Sequence, residues 1–325
     1  MIVMKLLAVA ALSSTLVLAG CGDGGTDGSS GADAADRMPV TAAFYPLQFV
    51  AERVGGDLVE VSTLTKPGTE PHDLELTPKA VAQLSQAKAV LYLSGFQPAV
   101  DDAVQTQAAD AALDVTQPAN LIVTGADDGH DHSGESADEH AGHADEQHAE
   151  DGVVDLHFWL DPTRMAAVAT TVGERFAKAD PANAATYTAN AAALASELTT
   201  LDEEFTTGLK TCESKELVTG HAAFGYLAAR YGLGQEGIAG ISPDAEPDAA
   251  ALRDLVSHVR ESGVSTVYAE TLVSPALAET IARETGAKVA VLDPLEGLTD
   301  ASPGSDYLEV MRANLKTLRE GQGCS

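Results

Sequence analysis

Positive charge is scarce in this chain. Nineteen Lys and Arg stand against 49 Asp and Glu, a net charge of −30, which opposes binding to nucleic acid or to an anionic membrane surface and attracts cations. Cysteine is nearly absent: Cys21, Cys212 and Cys324 are all there are. After an apolar run at residues 6–18 no second long apolar segment follows, so nothing further along approaches the roughly 20 residues that a membrane span requires. Signatures of catalysis are missing too. There is no His-Glu-x-x-His pair, no Gly-x-Ser-x-Gly elbow and no phosphate-binding glycine loop, which leaves an enzyme, a zinc hydrolase included, without positive support.

The amino end reads as an export signal: Lys5, the apolar run, then Leu18-Ala19-Gly20-Cys21, with small residues before the cysteine as cleavage requires. Cys21 is expected to become a lipidated N-terminus on the extracytoplasmic face of the cell membrane, with residues 1–20 removed. Residues 21–38 open with Gly, Ser, Thr and Asp, have little to bury and read as a flexible tether. An exported location permits a disulfide between Cys212 and Cys324.

The remaining chain, about 290 residues, is enough for two lobes of ordinary domain size. Residues 40–43, 46–54 and 58–64 read as strand, helix and strand, and 87–93 as a further strand. The same order returns at 216–220, 222–231 and 237–241, followed by helices at 248–261 and 275–285 that alternate with strands at 265–268 and 288–292. Such alternation implies an α/β fold with two parallel sheets. Between them two helical stretches, 161–178 and 180 to about 209, each open with Asp-Pro, a good helix start. The second predicts a long rigid connector. The expected organisation is an N-terminal lobe at 39–179, a linking helix at 180–213 and a C-terminal lobe at 214–325.

Residues 126–151 hold five histidines (His130, His132, His140, His143, His148), ten acidic residues and no Lys or Arg. With nothing apolar to form a core, this segment reads as a disordered loop with weak metal-binding capacity. Three other histidines stand far apart in settings that suit ligation: His72 in Glu70-Pro71-His72-Asp73, His157 in His157-Phe158-Trp159-Leu160-Asp161-Pro162, and His221 in Thr219-Gly220-His221-Ala222-Ala223-Phe224. Three imidazoles and one carboxylate complete a tetrahedral shell for zinc. The ninth histidine, His258, lies in an amphipathic helical stretch and reads as exposed.

Together with Phe44-Tyr45-Pro46 and Leu292-Asp293-Pro294-Leu295-Glu296-Gly297, these motifs resemble the solute-binding proteins of the zinc and manganese class of ABC importers, the ZnuA-like group (cluster A-I). The resemblance covers nearly the whole mature chain. It implies two α/β lobes joined by one long helix, a metal site in the cleft between them, and delivery to a membrane permease with its cytoplasmic ATPase. It also implies a monomer held to the membrane only by its lipid. The acidic, His-rich loop is similar to that of the zinc-specific members, and the manganese members carry a carboxylate where this chain has His221, so Zn²⁺ is favoured over Mn²⁺. A manganese or iron receptor of the same class, a surface adhesin and a metal buffer are the alternatives that such relatives suggest. For the fourth ligand the sequence offers Asp293 and Glu296. Asp293, at a strand end, is preferred, and Glu70 is a further candidate. Asp73, Asp155 and Glu270 are expected as outer acceptors that orient an imidazole.

Overall fold

The computed structural model describes residues 37–124, 153–243 and 247–325. Cys21 and the five histidines between 130 and 148 lie outside them.

The first sheet assembles from β1 (Met38–Ala42), β2 (Val59–Thr63), β3 (Ala89–Tyr92) and β4 (Ala112–Asp114), all parallel in the order β2-β1-β3-β4. Helices α1 (Tyr45–Gly55), α2 (Pro78–Leu84), α3 (Pro98–Gln107) and the single turn α4 (Thr116–Ala119) connect and follow these strands. A short antiparallel pair, β5 (Ile122–Thr124) and β6 (Val153–Asp155), brackets the His-rich segment.

Two helices come next. In α5 (Pro162–Ala179), Asp161 caps the first turn by accepting the Thr163 N–H at 2.8 Å, as the Asp-Pro signal predicts. The second Asp-Pro behaves differently. Pro181 opens a 3₁₀ turn, Pro181–Asn183, and α6 runs over Ala184–Gly208, 25 residues or about 37 Å. Asp180 is committed elsewhere, accepting from Asn183 and from the Tyr187 hydroxyl. Along α6 the buried positions Tyr187, Ala191, Leu194, Leu198, Leu201 and Phe205 alternate by four and three residues, one continuous apolar stripe. Gly173 of α5 lets the two helices approach closely, since a Cβ there would stand 2.6 Å from that of Ala191.

The second sheet contains β7 (Glu216–Thr219), β8 (Gly234–Gly237), β9 (Thr266–Ala269) and β10 (Lys288–Val291), again parallel, in the order β10-β9-β7-β8. Its helices are α7 (Gly225–Tyr231), α8 (Ala249–Ser262), α9 (Ala276–Thr285) and the C-terminal α10 (Tyr307–Gly321). Both sheets therefore follow one strand order, and the β7/β9 pair forms a topological switch point of the kind that gathers ligands at strand ends. The strand expected at 237–241 is displaced to Gly234–Gly237. Pairing with β7, Glu216 opposite Gly234 through Thr219 opposite Gly237, selects a polar Gly-Gln-Glu-Gly segment that no apolar pattern marks.

The main apolar cluster passes from Val40, Val90 and Leu91 through Val172, Leu198 and Phe205 to Leu217, Tyr268 and Tyr307, while a smaller one, with Val218, Val259, Val267 and Ile281, fills the far side of the second sheet. Cys212 and Cys324 form the expected disulfide, tying the C-terminus to the end of α6 across 112 residues. Among the described residues no helix is long and apolar enough to cross a membrane.

Candidate metal centre

Four side chains from four separate loops converge. The Nε2 atoms of His72, His157 and His221 stand 3.1, 3.3 and 3.2 Å from one oxygen, Glu296 Oε1, and His157 Nε2 is 3.3 Å from His72 Nε2. One donor atom from each of the four lies within 4.8 Å of every other. A tetrahedral ion with bonds of about 2.0 Å requires donors about 3.3 Å apart, so the group has the dimensions of a zinc shell. The three imidazole nitrogens favour zinc over the oxygen-preferring ions magnesium, calcium and manganese.

His221 follows β7 and Glu270 follows β9, on either side of the switch point. The Glu270 carboxylate accepts the His221 main-chain N–H at 2.7 Å and Nδ1–H at 2.5 Å. Asp155, the last residue of β6, does the same for His157, its Oδ1 accepting both N–H and Nδ1–H at 2.9 Å. With Nδ1 donating outward, each Nε2 is turned to the centre. The Tyr226 hydroxyl holds Asp155 from behind, donating to its carbonyl at 2.7 Å and accepting the Ile122 N–H at 2.8 Å. His72 is fixed otherwise: both oxygens of Glu70 accept its main-chain N–H, at 3.1 and 3.0 Å, Gln97 donates to the Pro71 carbonyl at 3.0 Å, and the Phe96 ring lies 4.6 Å from the imidazole.

The structure corrects the preference for Asp293. Glu296 joins the histidines; Asp293 does not. Asp293 Oδ1 accepts the Leu295 N–H at 2.8 Å, Oδ2 accepts the Ser302 hydroxyl at 2.9 Å, and Asn314 brackets its main chain from both sides. That closure puts Leu295 in the left-handed region, φ 59°, a costly conformation for a residue with a side chain. The turn carries Glu296 inward. Trp159 adds a strut by donating its indole N–H to the Pro294 carbonyl at 2.8 Å, linking the segment after His157 to the one before Glu296. Glu70 lies at the margin, its Oε1 3.9 Å from His72 Nε2. Asp73 is exposed and makes no hydrogen bond to an imidazole among the described residues, and His258 is 45% exposed, 3.5 Å from Glu216.

Burial opposes every charge here, but the pairing prevails. Although burial would raise Glu296, hydrogen bonds from His157, His221 and His72 hold it well below the usual carboxylate range. Burial would likewise lower His221, yet Glu270 and Glu296 push it up to about 10, and Asp155 and Glu296 raise His157 against the same opposition. Asp293 is raised by burial. A dication bound among the three Nε2 atoms would displace these protons.

Two glycines escaped the sequence reading. A Cβ on Gly220 would stand 2.7 Å from Glu270 Oε1, and one on Gly225 2.5 Å from Asp155 Oδ2. Each leaves room for the carboxylate that orients a histidine, a role visible only once the strands are paired.

A family model described as zinc-uptake complex component A, periplasmic, matches residues 40–321. Zinc-binding protein AdcA of Streptococcus pyogenes is 39% identical over 295 residues, covering 87% of this chain; the chain in turn spans only 56% of that relative. The high-affinity zinc uptake system protein ZnuA of Bacillus subtilis is 34% identical over 307 residues, 94% of this chain and 93% of that one. The laminin-binding adhesin of Streptococcus agalactiae superposes with a TM-score of 0.74 at 32% identity, covering 88% of this chain and 99% of that chain. The chain belongs to the periplasmic zinc-uptake component A family, the ZnuA family.

Proposed function

We propose that this protein captures Zn²⁺ outside the cytoplasm and hands it to the permease of an ABC importer, with His72, His157, His221 and Glu296 as the four ligands. The observation that carries this reading is the convergence of three imidazole nitrogens on one carboxylate oxygen at the edge lengths of a zinc tetrahedron. The zinc-binding and zinc-uptake relatives support the choice of metal. A permease with its cytoplasmic ATPase is the partner this role requires, and zinc is cargo, so catalysis has no part in it. Attachment through a lipid on Cys21 fits the lipoprotein relative of Streptococcus pneumoniae. The receptor works as a monomer, with one tight site per chain.

Zinc titration in competition with a chelator of known affinity tests the reading. One tight equivalent, weakened strongly by alanine at His72, His157 or His221, is the expected result; wild-type affinity in all three variants would end the proposal. Adhesion is a second reading, suggested by the laminin-binding neighbour. Immobilised laminin tests it directly.

A further inference from the structure

The four converging side chains are unequally reached by solvent. His157 and His221 side chains are 0% exposed and Glu296 1%, whereas His72 is 11% exposed and Glu70, beside it, 19%. A cavity of about 400 Å³ opens beside Glu70, lined among others by Gly220, Glu270, Leu272, Val273 and Leu277. Of its two carboxylates, Glu270 is buried against His221, whereas Glu70, whose oxygens also accept the His72 main-chain N–H, is the one that solvent and an arriving ion can reach. A narrower crevice of about 180 Å³ reaches Glu296 from another side, but Lys66 lines it and repels a dication.

We propose that Glu70 and the partly exposed imidazole of His72 form an outer station for a hydrated divalent cation, ahead of the buried position in which His157, His221 and Glu296 join His72 to complete the shell. The inference rests on the zinc-capture reading. Glu70 Oε1 stands 3.9 Å from His72 Nε2, close enough for one ion to touch both. A dication entering a water-poor cleft must shed its hydration shell, and a carboxylate with an imidazole replaces waters one at a time before the remaining ligands close round. Glu70 is not needed afterwards, because three Nε2 atoms and Glu296 already supply a tetrahedron.

Stopped-flow mixing of zinc with the protein tests this, followed by the fluorescence of Trp159, whose ring is 5.2 Å from that of His157, or by a chromogenic chelator. Glu70→Gln keeps an oxygen to accept the His72 N–H while removing the charge; Glu70→Asp keeps the charge. Asp73→Asn, an exposed neighbour, reports general steering. The station predicts association slowed roughly tenfold or more in Glu70→Gln, with dissociation no faster, Glu70→Asp near the wild-type rate and Asp73→Asn little changed. An unchanged association rate with faster dissociation would make Glu70 a resident ligand and overturn the proposal. So would an equal slowing in Asp73→Asn, or no change in either rate. If the wild type itself holds no zinc tightly, the capture reading fails instead.

Discussion

Glu270 grips His221 twice, by the main-chain N–H at 2.7 Å and by Nδ1 at 2.5 Å, so one carboxylate fixes both the position of the residue and the direction of its free nitrogen. Glu270→Gln should therefore weaken zinc binding by about 10- to 100-fold without touching a donor atom. Gly220→Ala should act in the same direction, since its new methyl would press on Glu270 Oε1. Chelator-competition titrations of both variants provide the measurement.

Glu296 and Asp293 should separate cleanly. Glu296→Gln removes the charged oxygen on which three imidazoles converge and is expected to cost roughly two orders of magnitude in zinc affinity. Asp293→Asn removes a charged acceptor of the Leu295 N–H and Ser302 hydroxyl, and should destabilise folding by about 1–3 kcal/mol with the smaller loss of affinity. Denaturant unfolding alongside titration distinguishes the two.

Proton release gives a third expectation. His221 is raised to about 10 from an ordinary 6.5, so it carries a proton at pH 7 in protein stripped of zinc, and His157 is raised in the same direction; zinc binding must expel protons from this pair. Calorimetry in buffers of different ionisation enthalpy counts them. In the same stripped protein, the stability contributed by His221 is fully present below about 6.5 and is lost as pH rises through about 10. That contributed by Glu296 is present above 4.5 and is lost as pH falls through its depressed value. Thermal melts should thus peak on the acidic side of neutrality without zinc, and the stabilisation by added zinc should grow as pH rises from 5 to 7.

The disulfide closes a loop spanning 112 residues. Replacing Cys212 and Cys324 with serine should lower the unfolding free energy by about 2–5 kcal/mol. Zinc affinity should hold, because neither cysteine belongs to the converging group.

Much of this arrangement was legible in the chain. Alternating apolar runs and Asp-Pro starts identified both parallel sheets and the helices between them, and His72, His157 and His221 announced themselves by their neighbours. What stayed hidden depended on tertiary contacts. The choice between Asp293 and Glu296 turns on the left-handed Leu295 and on the capture of Asp293 by Ser302, neither encoded by residue type. β8 is a strand only because β7 offers it an edge. Helix α10, whose Tyr307, Val310, Met311 and Leu318 are buried, lies beyond the alternating pattern that identified the other elements of its lobe. Gly220 and Gly225 matter for atoms that reach them from other loops.

The central claim is a shell of three imidazoles and one carboxylate. X-ray absorption at the zinc edge tests it most directly, on protein lacking residues 129–150 and loaded with one equivalent, so that the histidines of that segment contribute nothing. The account predicts four nitrogen and oxygen donors at about 2.0 Å, with the outer scattering of three imidazole rings that falls to two in His157→Ala. A six-coordinate, oxygen-rich shell, or an imidazole count unmoved by His157→Ala, would contradict it.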